Sequence, residues 1–178
     1  MNLKTRANPH VIFRLAPMAI LRLLLFILLF PFIWVLSRFL RRKDMVYLPD
    51  DHEEMKRAIA QARATLDSFR AVLASPPPNT HGFALKVRFP VQGGHEHCWV
   101  GSLEMKGRNF IGKLDNQPQN LPTLRLGRIV DVEDEMVTDW AYFENKIAHG
   151  HHTTRALLPH MSKKMRRSIE TVMGWTEP

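Results

Sequence analysis

Residues 83–89 read Phe83-Ala84-Leu85-Lys86-Val87-Arg88-Phe89. Apolar and polar side chains alternate with a period of two, the pattern of a strand with one buried face. Upstream the period is different. Met55, Ile59, Ala62, Leu66, Phe69 and Leu73 recur at spacings of three and four, which draws one apolar stripe along an amphipathic helix. Asp50 with Glu53, or Asp51 with Glu54, fits a capping box at its start, and Ser75-Pro76-Pro77-Pro78 ends it. Downstream, Gln92-Gly93-Gly94 signals a hairpin. A second strand is expected over residues 95–105, with His97, Trp99, Gly101, Leu103 and Met105 on one face. Lys106-Gly107-Arg108-Asn109 turns the chain into a third strand, residues 110–114. Residues 115–122 are too rich in Pro and Asn for either regular state. Residues 126–132 and 140–143 read as two more strands.

One helix followed by consecutive short antiparallel strands predicts an α+β fold. The helix would pack on a curved, barrel-like antiparallel sheet of about five strands. A last helix is expected over residues 161–173, with Met161, Met165, Ile169 and Val172 on one side, flanked by Lys163, Lys164, Arg166 and Arg167. Gly174 stops it before Trp175. Two readings of that helix stay open: its stripe packs on the domain, or it lies in a membrane interface.

The chain has 178 residues and a formal charge of +8, and the location of that charge matters more than its size. Residues 1–44 carry eight Lys/Arg and one acid; the other 134 residues carry 17 bases and 16 acids. The excess therefore sits on an apolar N-terminal stretch rather than on a folded surface, which argues against a nucleic-acid partner. A single cysteine excludes an internal disulfide and any Cys-rich zinc module.

Between Leu15 and Leu36 the only charge is Arg22. A helix of about 20 residues spans the hydrocarbon core, so residues 19–37 suffice for a single-pass transmembrane helix. Leu23, Phe26 and Phe30 would face lipid and Trp34 would lie near an interface. No small-residue cleavage site follows; Arg38, Arg41, Arg42 and Lys43 follow instead, as in a retained anchor. The expected organisation is an anchor at 1–44, a linker at 45–50, an α+β domain at 51–157 and a basic C-terminal helix and tail at 158–178. The expected location is a bacterial inner membrane. The positive-inside rule leans towards a cytoplasmic C-terminal domain, with a periplasmic one as the alternative.

Several stretches, taken in order, resemble a bacterial family, the YegJ-like domain of unknown function 2314, over residues 51–157. They are Ala62-Arg63-Ala64-Thr65-Leu66-Asp67-Ser68-Phe69, the strand ending Lys86-Val87-Arg88-Phe89, and Glu96-His97-Cys98-Trp99. Residues 112–118, Leu126-Gly127 and Asp139-Trp140-Ala141-Tyr142 follow, and Gly150 to Thr153 closes the run. The family closes with Gly-Gly-aromatic-Thr, whereas this chain has Gly150-His151-His152-Thr153. The resemblance implies a domain found alone behind an export or membrane signal, or joined to other modules, and it implies no reaction.

Nine histidines raise a metal site as an alternative. His95 and His97 share a strand face, as His149 and His151 could on a neighbouring strand, and four imidazoles on paired strands would suit zinc, copper or nickel. The plainer reading has His97 packed beside Trp99 and the others in solvated turns, with no metal and no cofactor. Cys98 points away from His97 and reads as a strand residue rather than a nucleophile. Neither a Gly-rich phosphate loop nor an H-E-x-x-H helix is present. Asp139 beside Trp140, with Tyr142 on the same strand face, could wall a small pocket to which Trp99 and Asn116 add contacts; alternatively Trp140 is core and Asp139 caps a turn. Two functions follow. One is a membrane-tethered, non-catalytic binding module for a protein, peptide or lipid partner. The other is a small hydrolase or metal-dependent enzyme using His97, Asp139 and the histidines at 149–152. Acids and histidines scattered without a recognisable spacing favour the first.

Overall fold

The computed structural model describes residues 48–176. The membrane-spanning helix expected over residues 19–37 and its basic flanks lie outside the described residues. Among the described residues no helix is long and apolar enough to cross a membrane.

The stripe that predicts one helix forms two, α1 (Glu53–Ala64) and α2 (Leu66–Ala74). Thr65 makes the break. Its hydroxyl turns back to the carbonyl of Gln61 at 2.8 Å, a local bond that competes with helical continuity. The carbonyl of Ala62 accepts the indole N–H of Trp140 at 3.0 Å. The stripe itself is used as read: Met55, Ala62, Leu66 and Phe69 are buried. The expected capping box does not form. The N-cap is His52, without a side-chain cap, although Glu53 and Glu54 do occupy the first turn. Asp50 is instead engaged across the molecule, at 2.8 Å from His97 Nε2.

Six antiparallel strands follow: β1 (Thr80–Val91), β2 (Gly94–Lys106), β3 (Asn109–Leu114), β4 (Ile129–Val132), β5 (Val137–Glu144) and β6 (Ile147–Gly150). Their order across the sheet is β4-β3-β2-β1-β5-β6. The sheet is therefore open, with β4 and β6 as separate edges, and not the barrel-like closure of about five strands expected. The additional strand, β6, escapes a sequence reading because its turn is unorthodox. Asn145 and Lys146 both take positive φ (48° and 69°), as a two-residue hairpin turn demands, but without the glycine that usually marks it.

β1 buries Leu85, Val87 and Phe89 as their alternation predicts. β2 departs from expectation. Cys98 and Val100 point into the core, and Ser102, at φ 49°, forms a bulge. The extra residue reverses the phase, so Leu103 joins the core side while His97 and Trp99 lie on the other face. At the centre, Phe69 is fully buried, and its ring lies 5.4 Å from Trp140, 6.0 Å from Phe83 and 6.2 Å from Phe110. Arg63 fastens α1 to the start of β5 through the carbonyls of Val137 (2.9 Å) and Glu135 (2.8 Å).

After β6 come the short helix α3 (His152–Leu157) and α4 (Lys163–Val172). Ser162 caps α4, accepting from Met165 N–H. Met161, Met165 and Ile169 are half-buried, whereas Val172 is 69% exposed. The end of α4 docks on the β6 edge, where Ala148 N–H donates to the carbonyl of Met173 (2.9 Å) and the Trp175 indole donates to that of Ala148 (2.8 Å).

Phe69→Ala should cost about 3–5 kcal/mol of unfolding free energy, because the hub of the aromatic cluster becomes a cavity. Val172→Ala on the exposed side of α4 should change stability by no more than about 0.5 kcal/mol. Urea denaturation of both variants measures the contrast.

Candidate functional site

Leu85 pairs with Trp140 on the core face of the sheet, so the next pair, Lys86 and Asp139, faces the other way. Asp139 is nevertheless fully buried. A carboxylate survives there only if donors replace its water. Oδ1 accepts the backbone N–H groups of Trp140 (2.9 Å) and His152 (3.0 Å). Oδ2 accepts the Thr153 N–H (2.8 Å) and hydroxyl (2.7 Å). The Thr153 oxygen in turn accepts from Lys86 Nζ at 3.2 Å. Burial pushes the Lys86 ammonium below its ordinary pKa, and the negative charges of Asp139 and Asp50 oppose that shift.

The segment that meets Asp139 is a tight corner. Gly150 has φ +73°, and a Cβ there would overlap the carbonyl of Trp140. His151 also adopts the left-handed region, at φ 52°, which costs a non-glycine residue about 1–2 kcal/mol. It stands where the Gly-Gly-aromatic-Thr pattern has its second glycine. Its ring lies 5.4 Å from Trp99 and 6.1 Å from Trp175, and that of His152 meets Trp140 edge-on at 5.3 Å. Among the described residues, His151 Nδ1 and His152 Nε2 are buried without a hydrogen-bond partner. Burial lowers both imidazole pKa values below the ordinary 6.5, with Asp139 opposing in each case.

Beside this corner lies a cleft of about 380 Å³, lined by Gln61 of α1, Ile147 to Gly150 of β6, and His152 and Arg155 of α3. Arg155 is held in place. Its Nε donates to the carbonyl of Gly150 (3.2 Å) and its Nη2 to that of Ala148 (3.3 Å), with the guanidinium 3.7 Å above the Trp175 ring. His149 stacks on Tyr142 with centroids 4.7 Å apart, and its Nε2 is 3.6 Å from Glu144.

The residues singled out from sequence do not assemble as one site. Trp140 and Tyr142, both 8% exposed, stack 6.0 Å apart within the core, and Asp139 faces away from them. Asn116 accepts the backbone N–H of Trp99 (2.7 Å) and so pins the irregular loop to β2. Glu96 adds to that order by accepting the N–H groups of Gln119 (2.6 Å) and Asn120 (2.7 Å). Cys98 is fully buried, and burial pushes its thiol pKa up. The four-histidine arrangement is not built. His95 and His97 lie on β2, whereas His149 lies on β6 and His151 just beyond it, with β1 and β5 between the two strands. Three strand spacings of about 4.8 Å separate His149 from the β2 pair, and His151, although its ring reaches to 5.4 Å from Trp99, hydrogen-bonds to neither His95 nor His97 among the described residues. His95 is exposed, while His97 contacts Asp50 and, through Nδ1 at 3.1 Å, the Thr138 hydroxyl. Among the described residues no three His, Cys, Asp or Glu side chains are placed to hold a metal ion. Gln61 and Arg155 carry no signal in the sequence, and Lys86 and Thr153 stand there only as parts of family-like stretches. The available signal is Lys86, a charge on the half-buried outer face of a strand in the interior of the sheet.

A family described as "Uncharacterized protein conserved in bacteria (DUF2314)" matches residues 52–176. That stretch runs beyond the 51–157 of the resemblance and takes in α4. A putative ankyrin repeat protein of Neisseria meningitidis serogroup B is 28% identical over 79 residues, covering 44% of this chain and 31% of that protein. The chain thus spans about a third of the length of that curated relative. No solved structure gives a significant match.

Two predictions follow from the buried cluster. Asp139→Asn turns an amide towards Thr153 and leaves Lys86 with only the weaker influence of Asp50, so it should cost about 3–5 kcal/mol. Adding Lys86→Met should recover part of that loss, and a double-mutant cycle in urea measures the coupling. The second concerns acid. Burial depresses the pKa of His97, His151 and His152 from 6.5, so below that pH the unfolded chain binds protons that the folded one resists. Stability should therefore fall as pH drops from 6.5 through the window down to the folded values, and be full above it. A thermal melt series across that range reads the slope, which His152→Gln should flatten.

Proposed function

We propose that the chain, which belongs to the family of uncharacterised bacterial proteins matched over residues 52–176, is a membrane-tethered binding module. The observation that carries this reading is the state of Asp139. It is the most enclosed acid of the domain, and its carboxylate already accepts four hydrogen bonds from the chain. Catalysis needs a group that can reach substrate and exchange a proton with it. Asp139 has no exposed surface, and Thr153 beside it is 1% exposed. The cluster supports a structural role: it ties the β6–α3 corner to β5 and so shapes the cleft next to it. That cleft still has donors to give, from His152, Arg155 and Gln61. It therefore supports recognition better than hydrolysis.

The tether rests on the apolar run from Leu23 to Leu36 and the bases Arg38, Arg41, Arg42 and Lys43 behind it. The relative named as a putative ankyrin repeat protein is longer than the shared stretch, which accords with a domain joined to different companions.

Two measurements test the proposal. Alkaline carbonate extraction of cells should leave the full-length protein in the membrane pellet, and recovery in the soluble fraction would refute the tether. A photoreactive residue placed at Gln61 or Ile147 should give cross-linked adducts in cells that the same residue at exposed Lys113 does not. Equal labelling from all three positions would refute a recognition surface at the cleft.

A further inference from the structure

The cleft has a definite chemical character. Arg155 contributes a planar guanidinium whose direction is set before any ligand arrives: two backbone carbonyls fix one edge and Trp175 covers one face. Nη1 donates to no protein atom, and no carboxylate lies within 4.0 Å of the guanidinium, among the described residues. A pre-oriented, unpaired guanidinium is the group best matched to an oxyanion, because its fork presents parallel N–H donors and no ordering cost remains. Around it stand the imidazoles of His149 and His152 and the amide of Gln61. His152 Nε2 is shut off from solvent without a protein partner, and a buried polar atom left so is destabilising unless something else satisfies it. Among the described residues two carboxylates stand near this group: buried Asp139, whose charge is felt by His152 and Arg155 but whose oxygens are taken up by Trp140, His152 and Thr153, and Glu144. The 3.6 Å approach of Glu144 to His149 leaves Arg155 unneutralised.

From this geometry we infer that the cleft binds a phosphate-type oxyanion, with Arg155 as the principal donor and His149, His152 and Gln61 completing its shell. The donors come from three different elements, α1, β6 and α3, and a tetrahedral phosphate, with acceptors pointing in several directions, meets such a set better than a planar carboxylate. The site has room for such a group together with part of the molecule that carries it: about 380 Å³ falls within the usual range for small-ligand pockets. The inference rests on the binding-module reading and names its ligand class.

Inorganic phosphate and a phosphate-bearing lipid headgroup share this chemistry, and the experiment separates them. The full chain, with labelled histidines, is placed in neutral phosphatidylcholine discs and titrated with inorganic phosphate at constant ionic strength. In parallel it is placed in discs containing phosphatidic acid. Saturable shifts of the His149 and His152 ring signals, with those of His95 unmoved, are expected from at least one source. Phosphate alone would identify a soluble ligand, and phosphatidic acid alone a lipid. Arg155→Lys, which keeps the charge and removes the fork, should weaken binding about tenfold. Gln61→Leu, at an exposed position outside the Trp175 contact, should weaken it about threefold without affecting the fold. The inference is overturned if neither source shifts the two rings, if acetate shifts them as strongly as phosphate, or if both variants bind unchanged. Cross-linking from Gln61 that persists in any of these cases would leave the binding module standing and remove only its oxyanion.

Discussion

The carboxylate of Asp139 is the point on which the two halves of the domain turn. Its two oxygens tie together two pieces of chain that β6 separates in sequence. The N–H of Trp140 lies on β5, and those of His152 and Thr153 begin α3. One side chain thus holds the corner between strand and helix at an angle that the backbone alone would not favour, since Gly150 and His151 are both left-handed there. The charge has to be compensated where the side chain has no solvent-exposed surface, and Lys86 does so through the Thr153 hydroxyl. Remove any member and the others are left buried with unmet demands, which is why such a network acts as a unit.

From that corner the geometry of the cleft follows. α3 leaves the sheet towards α1, and Arg155 on its last turn reaches back to the β6 carbonyls. Trp175, at the far end of the chain, covers the guanidinium. The cleft is therefore assembled from α1, β6 and α3, with a stacking contribution from beyond α4. β6 and α3 are consecutive, but α1 and Trp175 are remote from them in sequence, and Asp139 fixes where α3 starts.

How much of this could be read in advance depended on whether the determinant was local. The stripe from Met55 to Leu73 and the alternation from Phe83 to Phe89 are local, and both faces were assigned as they occur. The bulge at Ser102 is not encoded by any period, so the phase of β2 beyond it was misread. β6 was missed because Asn145-Lys146 supplies left-handed residues without glycine. The break at Thr65 comes from a hydroxyl that bonds back to Gln61 and also accepts from a tryptophan 75 residues away, a pairing no periodicity announces. The site was least legible of all. Asp139 and Trp140 were noticed as neighbours, but a strand sends neighbours to opposite faces, so one entered the aromatic core and the other the polar cluster. Arg155 reads as an ordinary surface base until Trp175 and two carbonyls are seen around it.

The strand order has a kinetic consequence. β1, β2 and β3 are joined by two-residue turns and can pair as soon as they are made. The other edge of β1 must wait for β5, whose Asp139 lies 53 positions beyond its partner Lys86. Closing so long a loop is slow compared with forming a hairpin. Until it closes, the longest unpartnered edge in the nascent domain belongs to what becomes an interior strand, and such edges recruit other chains. Lys86 and Arg88 project from that strand, and charge there discourages intermolecular pairing. The lysine that is awkward to bury at the end of folding is thus a solubilising guard at its beginning, and Asp139 relieves it of that duty when β5 arrives.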